Sequence, residues 1–150
     1  MEWVDALRGT VVAIDTAPLI YFIEENPLWL PVVQPFFQAL DSGHFRAVAS
    51  TIILAEVLVH PLRRSNTALA VRYRQILLRA RNLSTIPVTA PIAERAAELR
   101  ASHGFRTPDA IQLATAVHAK ADSFLTNDRA LSLPGVLKVL TLANFQPSVS

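Results

Sequence analysis

Val11–Asp15 reads VVAID, four apolar residues closed by a carboxylate. An apolar run this short, bounded by a charge, reads as a buried strand. Past Asp15 the chain alternates between helical and strand-like stretches. Helical patterns cover about Ala17 to Glu25 and Pro31 to Ser42, and Phe45 to Ala49 reads as a second strand. Ser50 or Thr51 can cap the next helix, Ile52 to His60, which Pro61 ends or kinks. Asn66 to Arg81 is a long helical pattern and Leu83 to Val88 a third strand. Ala90 to His103 is an amphipathic helix closed by Gly104. Thr107 as N-cap, Pro108 at the first helical position and Asp109 in the first turn open a helix reaching Ala121. Ser123 to Thr126 and Val136 to Leu140 complete five strands.

Strands that alternate with helices require crossover connections. The expected fold is therefore α/β, three layers deep, with a mostly parallel central sheet of about five strands and helices on both faces. At 150 residues, without a Gly/Ser linker or an internal repeat, the chain is read as one domain, 1–150.

In such folds ligands bind beyond the carboxyl ends of the strands. Asp15 closes the first strand and Asp128 follows the fourth, within FLTND, so both fall at that rim. Asp109 begins a helix whose N-terminus points toward the same edge. Glu56 lies inside the apolar run TIILAEVLV, where an ionised carboxylate is costly unless it is paired, hydrogen-bonded or bound to a metal. Four acids converging on one rim repel one another unless a cation relieves the repulsion. Each acid alone has an ordinary explanation as a cap or turn residue; the combination points to a hard divalent ion, Mg²⁺ or Mn²⁺, and to activation of water on a phosphodiester.

Composition narrows the alternatives. The absence of cysteine excludes thiolate nucleophiles, zinc–thiolate sites and disulfides. Four glycines, none in a phosphate-cradling loop, argue against P-loop or dinucleotide binding. No Gly-x-Ser-x-Gly elbow is present. An aspartyl phosphatase would need an acid two positions after Asp15, where Ala17 stands. The net charge of +2 leaves about +6 outside the four acids, a balance suited to a polyanionic substrate. Twelve of the 14 basic residues are arginine, which favours bidentate phosphate contacts. Between Glu56 and Glu94 there is no acid but a run of arginines, of which Arg63, Arg64 and Arg72 are candidates for contacting RNA or an acidic protein tail. His60 is a weak catalytic candidate. Trp3, Trp29, Phe36 and Phe37 can stack on bases, although packing explains them better. With 51% hydrophobic residues, some apolar surface is expected to meet a partner. The apolar stretches are too short to span a membrane, which needs about 20 residues, and the start does not read as a secretory signal. A cytoplasmic location is expected.

The segments VVAIDTAPLIYFIE, STIILAEVLVHPLR, TPDAIQLATA and ADSFLTNDRAL resemble, in order, those of PIN-domain ribonucleases, in particular VapC-type toxins of toxin–antitoxin pairs. The resemblance spans about Val11 to Leu142. It implies a Mg²⁺- or Mn²⁺-dependent endoribonuclease, often a dimer inhibited by a cognate antitoxin. Asp15, Glu56 and Asp109 match the family's core acidic positions and Asp128 its more variable fourth. Thr16 and Thr126 match hydroxyl positions that support the metal or its waters. Asp122 looks like a turn residue and is left out of the site. The lead before the first strand and the HPLRR segment after Glu56 depart from many relatives. Two other functions fit the same residues, a catalytically silent RNA- or protein-binding module and a nuclease of RNA processing.

Overall fold

The computed structural model describes residues 1–147; residues 148–150 of the expected domain lie outside them. Five strands, β1 (Val11–Ile14), β2 (Arg46–Ser50), β3 (Leu83–Ile86), β4 (Ser123–Thr126) and β5 (Lys138–Thr141), form one sheet in the order β3-β2-β1-β4-β5. Every pairing is parallel. Parallel sheets need cover on both faces, and the alternation along β1 supplies it. Val12 and Ile14 join a core with Leu19, Phe36, Ile53 and Tyr73 on one face. Ala13 joins Ile92, Leu113 and Phe124 on the other. The layers are therefore helix, sheet and helix.

On the first face lie α2 (Thr16–Ile23), α3 (Leu30–Asp41), α4 (Ile52–Val57), α5 (Val59–Arg63) and α6 (Thr67–Arg79), after a short α1 (Glu2–Asp5). The second face is covered by α7 (Ala90–His103) and α8 (Thr107–His118). Gly104, left-handed at φ 73°, closes α7 as the sequence leads one to expect. The chain leaves β1 toward β2 and later crosses to β4 on β1's other side, so the sheet's topological switch point falls between β1 and β4.

Some local expectations are corrected and others narrowed to one of their alternatives. Arg106, not Thr107, is the N-cap of α8, and its side chain caps nothing; Thr107 is the first helical residue. Thr51 occupies the N-cap of α4 without a side-chain bond, while the Ser50 hydroxyl accepts from the Ile52 N–H. Pro61 kinks the helix rather than ending it. Its ring crowds the carbonyl four residues back, at Val57, and the break falls at Leu58, which separates α4 from α5. Pro87, with no N–H to give a ladder, follows the last residue of β3 two positions short of the expected end. Trp3 stacks between Phe36 and Phe145, with Phe145 on a terminal 3₁₀ turn, Leu142–Phe145. That contact gives the ten-residue lead before β1 a packing role.

Candidate active site

The site is built from the switch point outward. Asp15 is the N-cap of α2 and only 8% exposed. Its Oδ1 accepts from the Thr16 N–H at 2.7 Å and its Oδ2 from the Thr126 hydroxyl at 2.7 Å. Thr126 ends β4, is fully buried, and accepts in turn from the Asp128 N–H at 3.0 Å. The strand ends and the first turn of α2 thus hold one carboxylate from two sides. Asp128 is exposed and its Oδ1 accepts from the Ala130 N–H.

Asp109 stands in the first turn of α8, with its side chain 13% exposed, and accepts from Arg106 Nε at 3.2 Å. Glu56 reaches in from α4. Its Oε1 accepts from Gln112 Nε2 at 3.2 Å, and the same nitrogen donates to Thr16 Oγ1 at 3.1 Å. Asp122 lies elsewhere: its carboxylate accepts from the Val11 N–H at the opposite end of β1.

The acids influence one another's protonation. Burial pushes the Asp15 carboxyl above its ordinary 3.8; the bonds from Thr126 and Thr16 oppose this, and the charges of Asp109 and Asp128 add to it. Glu56 is also raised, first by desolvation, then by Asp15 and Asp109, with Gln112 and Arg106 acting the other way. Glu56 is an exposed residue, so the apolar run TIILAEVLV does not enclose it as its sequence position suggests, and the charges of Asp15 and Asp109 come next after desolvation in raising its carboxyl. The Arg106 guanidinium is raised by its bond to Asp109 and by the charges of Asp109, Glu56 and Asp128. Arg106 is therefore a cation of this rim, a residue that sequence patterning passes over because it reads as the loop before α8.

Among the described residues, no three Asp, Glu or His side chains stand close enough to share one ion. The reason is visible in their partners, since Asp109 turns to Arg106, Asp128 to a backbone N–H and Glu56 to Gln112. The donor set nevertheless fits a small hard cation. It is all oxygen, crowded with negative charge, and Mg²⁺ uses only about one or two carboxylates beside water.

The remaining candidates fall outside this cluster. Arg63 and Arg64 are exposed at the end of α5, and Arg72 is exposed on α6; none is paired with an acid among the described residues. Arg72 and Arg81 border an apolar groove floored by Phe22, Phe37 and Ile76. His60 lies beyond the break at Leu58, off Glu56's helix. Phe36 and Phe37 are core residues, and Trp29 stacks on Tyr21 at 5.6 Å.

The model of the PIN domain family matches residues 12–135, which include all four acids. The chain belongs to the PIN-domain family. Solved structures of similar shape include a toxin–antitoxin complex from Klebsiella pneumoniae, 26% identical with a TM-score of 0.65, over 87% of this chain and 97% of that one. VapBC2 from Rickettsia felis, bound to a DNA fragment from its promoter, is 16% identical with a TM-score of 0.67, over 87% and 98%. VapC20 from Mycobacterium tuberculosis, a toxin that cleaves the sarcin–ricin loop, is 19% identical with a TM-score of 0.63, over 75% and 86%. The last two likenesses speak to fold alone. No curated protein matches the chain significantly. No helix among the described residues of this PIN domain is long and apolar enough to cross a membrane.

Proposed function

We propose that this PIN domain, a single unit spanning the chain, is a divalent-metal-dependent endoribonuclease and the toxin of a type II toxin–antitoxin pair. One observation carries the reading: at the sheet's switch point the buried Asp15 is fixed by the Thr16 N–H and the Thr126 hydroxyl, and Gln112 of α8, one turn after Asp109, ties Glu56 to Thr16 beside it. Asp15 and Asp109 would hold Mg²⁺ or Mn²⁺, with Glu56 and Asp128 beside them and Thr16 and Thr126 in support. Such an ion supplies polarisation of the phosphodiester and a water of lowered pKa.

The chain's own residues do the rest. Thr126 and the Thr16 N–H fix Asp15 in one orientation, which spares the site reorganisation during the reaction. Glu56, held by Gln112 and raised above its ordinary value, accepts in its ionised form a proton from the attacking water at its carboxylate oxygen. Arg106, mostly exposed at the rim, receives a phosphate oxygen of the RNA. Arg63 and Arg64 extend the contact along the backbone of the substrate.

The similarity to the Klebsiella pneumoniae toxin–antitoxin complex supports a cognate antitoxin as partner. The groove bordered by Arg72 and Arg81 suits an amphipathic, acidic segment of it. Val59 and Leu62, exposed on α5, support pairing of two copies, and the cytoplasm is the compartment in which such a nuclease meets RNA. The test is incubation of purified protein with cellular RNA in Mn²⁺ and in chelator. Cleavage in Mn²⁺ alone, lost in Asp15→Asn, is expected; cleavage in chelator, or none by folded protein in Mn²⁺, overturns the reading.

A further inference from the structure

Gln112 is a polar side chain in an apolar place. It lies on α8 between Ala110, Leu113, Ala114 and Ala116, all of them buried, and is itself only 3% exposed. Its Oε1 is buried without a hydrogen-bond partner. An orphaned acceptor of this kind is a cost that leucine or methionine would not carry. The amide's partners are two residues of the site: Nε2 donates to Glu56 Oε1 at 3.2 Å and to Thr16 Oγ1 at 3.1 Å. A carboxylate only accepts, which sets the nitrogen toward Glu56. Gln112 stands one helical turn after Asp109, so the two share a face of α8.

Glu56 sits on a six-residue helix, α4, whose N-cap makes no side-chain bond, and its flexible side chain has Gln112 as its hydrogen-bond partner among the described residues. From this geometry we propose that Gln112 is a positioning residue, which holds Glu56 against the N-terminal turn of α2 and so keeps it beside Asp15 and Asp109 for metal binding. The inference rests on the metal-dependent reading above. The orphaned Oε1 follows directly, because the one nitrogen of the amide is committed to two site oxygens and its oxygen is left facing the apolar layer.

The test uses Gln112→Met, which fills the same volume without a donor, and Gln112→Leu as a second way to pack the position. Binding of Mn²⁺ is followed by calorimetry on the full chain, with RNA cleavage alongside. Outer-sphere partners of metal ligands typically contribute about 10- to 100-fold in affinity or activity. Both variants should weaken Mn²⁺ binding by about that factor, leave the KM for RNA unchanged at saturating metal, and melt within a few degrees of the parent without metal. In a Glu56→Ala background, Gln112→Met should weaken Mn²⁺ binding no further, an outcome that a merely structural role would not produce. Parental Mn²⁺ affinity in the variants, an undiminished effect in the Glu56→Ala background, or failure of both variants to fold would overturn the proposal. A parent that binds Mn²⁺ but cuts no RNA removes the nuclease reading and leaves this inference standing on affinity; a parent that binds no Mn²⁺ removes both.

Discussion

The Thr126 hydroxyl donates to Asp15 Oδ2 at 2.7 Å, across the ends of the neighbouring strands β4 and β1. The register that pairs Ile14 with Leu125 brings the next residue of each strand side by side, so sheet formation itself builds this contact. Thr126→Val keeps the shape and removes the donor. It also deprives the Asp128 N–H of its acceptor. Loss of a hydrogen bond to a buried charged group should cost about 1 to 3 kcal/mol, read by chemical denaturation, together with weaker Mn²⁺ binding.

Asp15 and Glu56 set a pH dependence of opposite sign to that of salt-bridged acids. Their carboxyls are raised in the folded chain above their ordinary 3.8 and 4.5. Above those values the folded chain therefore holds more protons than the unfolded chain, and stability falls as pH climbs through the raised values. In metal-free protein the contribution of these two groups to stability is therefore fully present at acidic pH and lost once both carboxyls ionise. Asp15→Asn removes the contribution of the more buried of the two. Thermal melts in chelator should show the variant gaining on the parent as pH rises; a constant difference between the two across that range would contradict the burial argument.

Arg106 neutralises part of the acidic rim from an exposed position. Exposed ion pairs contribute little to stability, so Arg106→Ala should leave the melting temperature unchanged. Its two functional effects should oppose each other. With the cation gone, Mn²⁺ should bind more tightly, while the KM for RNA should rise because a phosphate contact is lost. Titration of metal and of RNA separately distinguishes them.

In the proposed reading, Arg63 and Arg64 contact substrate phosphates. Each contact with single-stranded RNA contributes a slope of about −0.7 in log K against log salt. The double change Arg63→Ala, Arg64→Ala should therefore flatten the salt dependence of RNA binding by about 1.4 units of slope and leave Mn²⁺ affinity intact. An unchanged slope would leave these arginines as a solvated helix end.

The strands were legible because burial on both faces writes them as short apolar runs; Ser123–Thr126 falls where the sequence predicts, and the others shift by one to two residues at one end or both. Asp15 was legible for the same reason, as the first charge after such a run. The sequence pattern said less where two elements meet. Nothing local tells that Thr126 reaches Asp15, since the contact spans 111 residues. Arg106 reads as a loop residue until α8 is seen to start beside it. Gln112 did leave a signal, a lone amide in AIQLATA, but its purpose depends on Glu56, 56 residues away. The α1 helix is a single turn whose order comes from Trp3 packing, which no periodicity encodes.

The gathering of acids around a hard cation is tested most directly by anomalous scattering from a crystal of the protein soaked in Mn²⁺. The expected result is a manganese peak between Asp15 and Asp109, at roughly 2.0 to 2.3 Å from their oxygens, with Glu56 or Asp128 reaching it directly or through water. Crystals that take up no manganese at the β1–β4 crevice, with Asp109 still paired to Arg106, would contradict it.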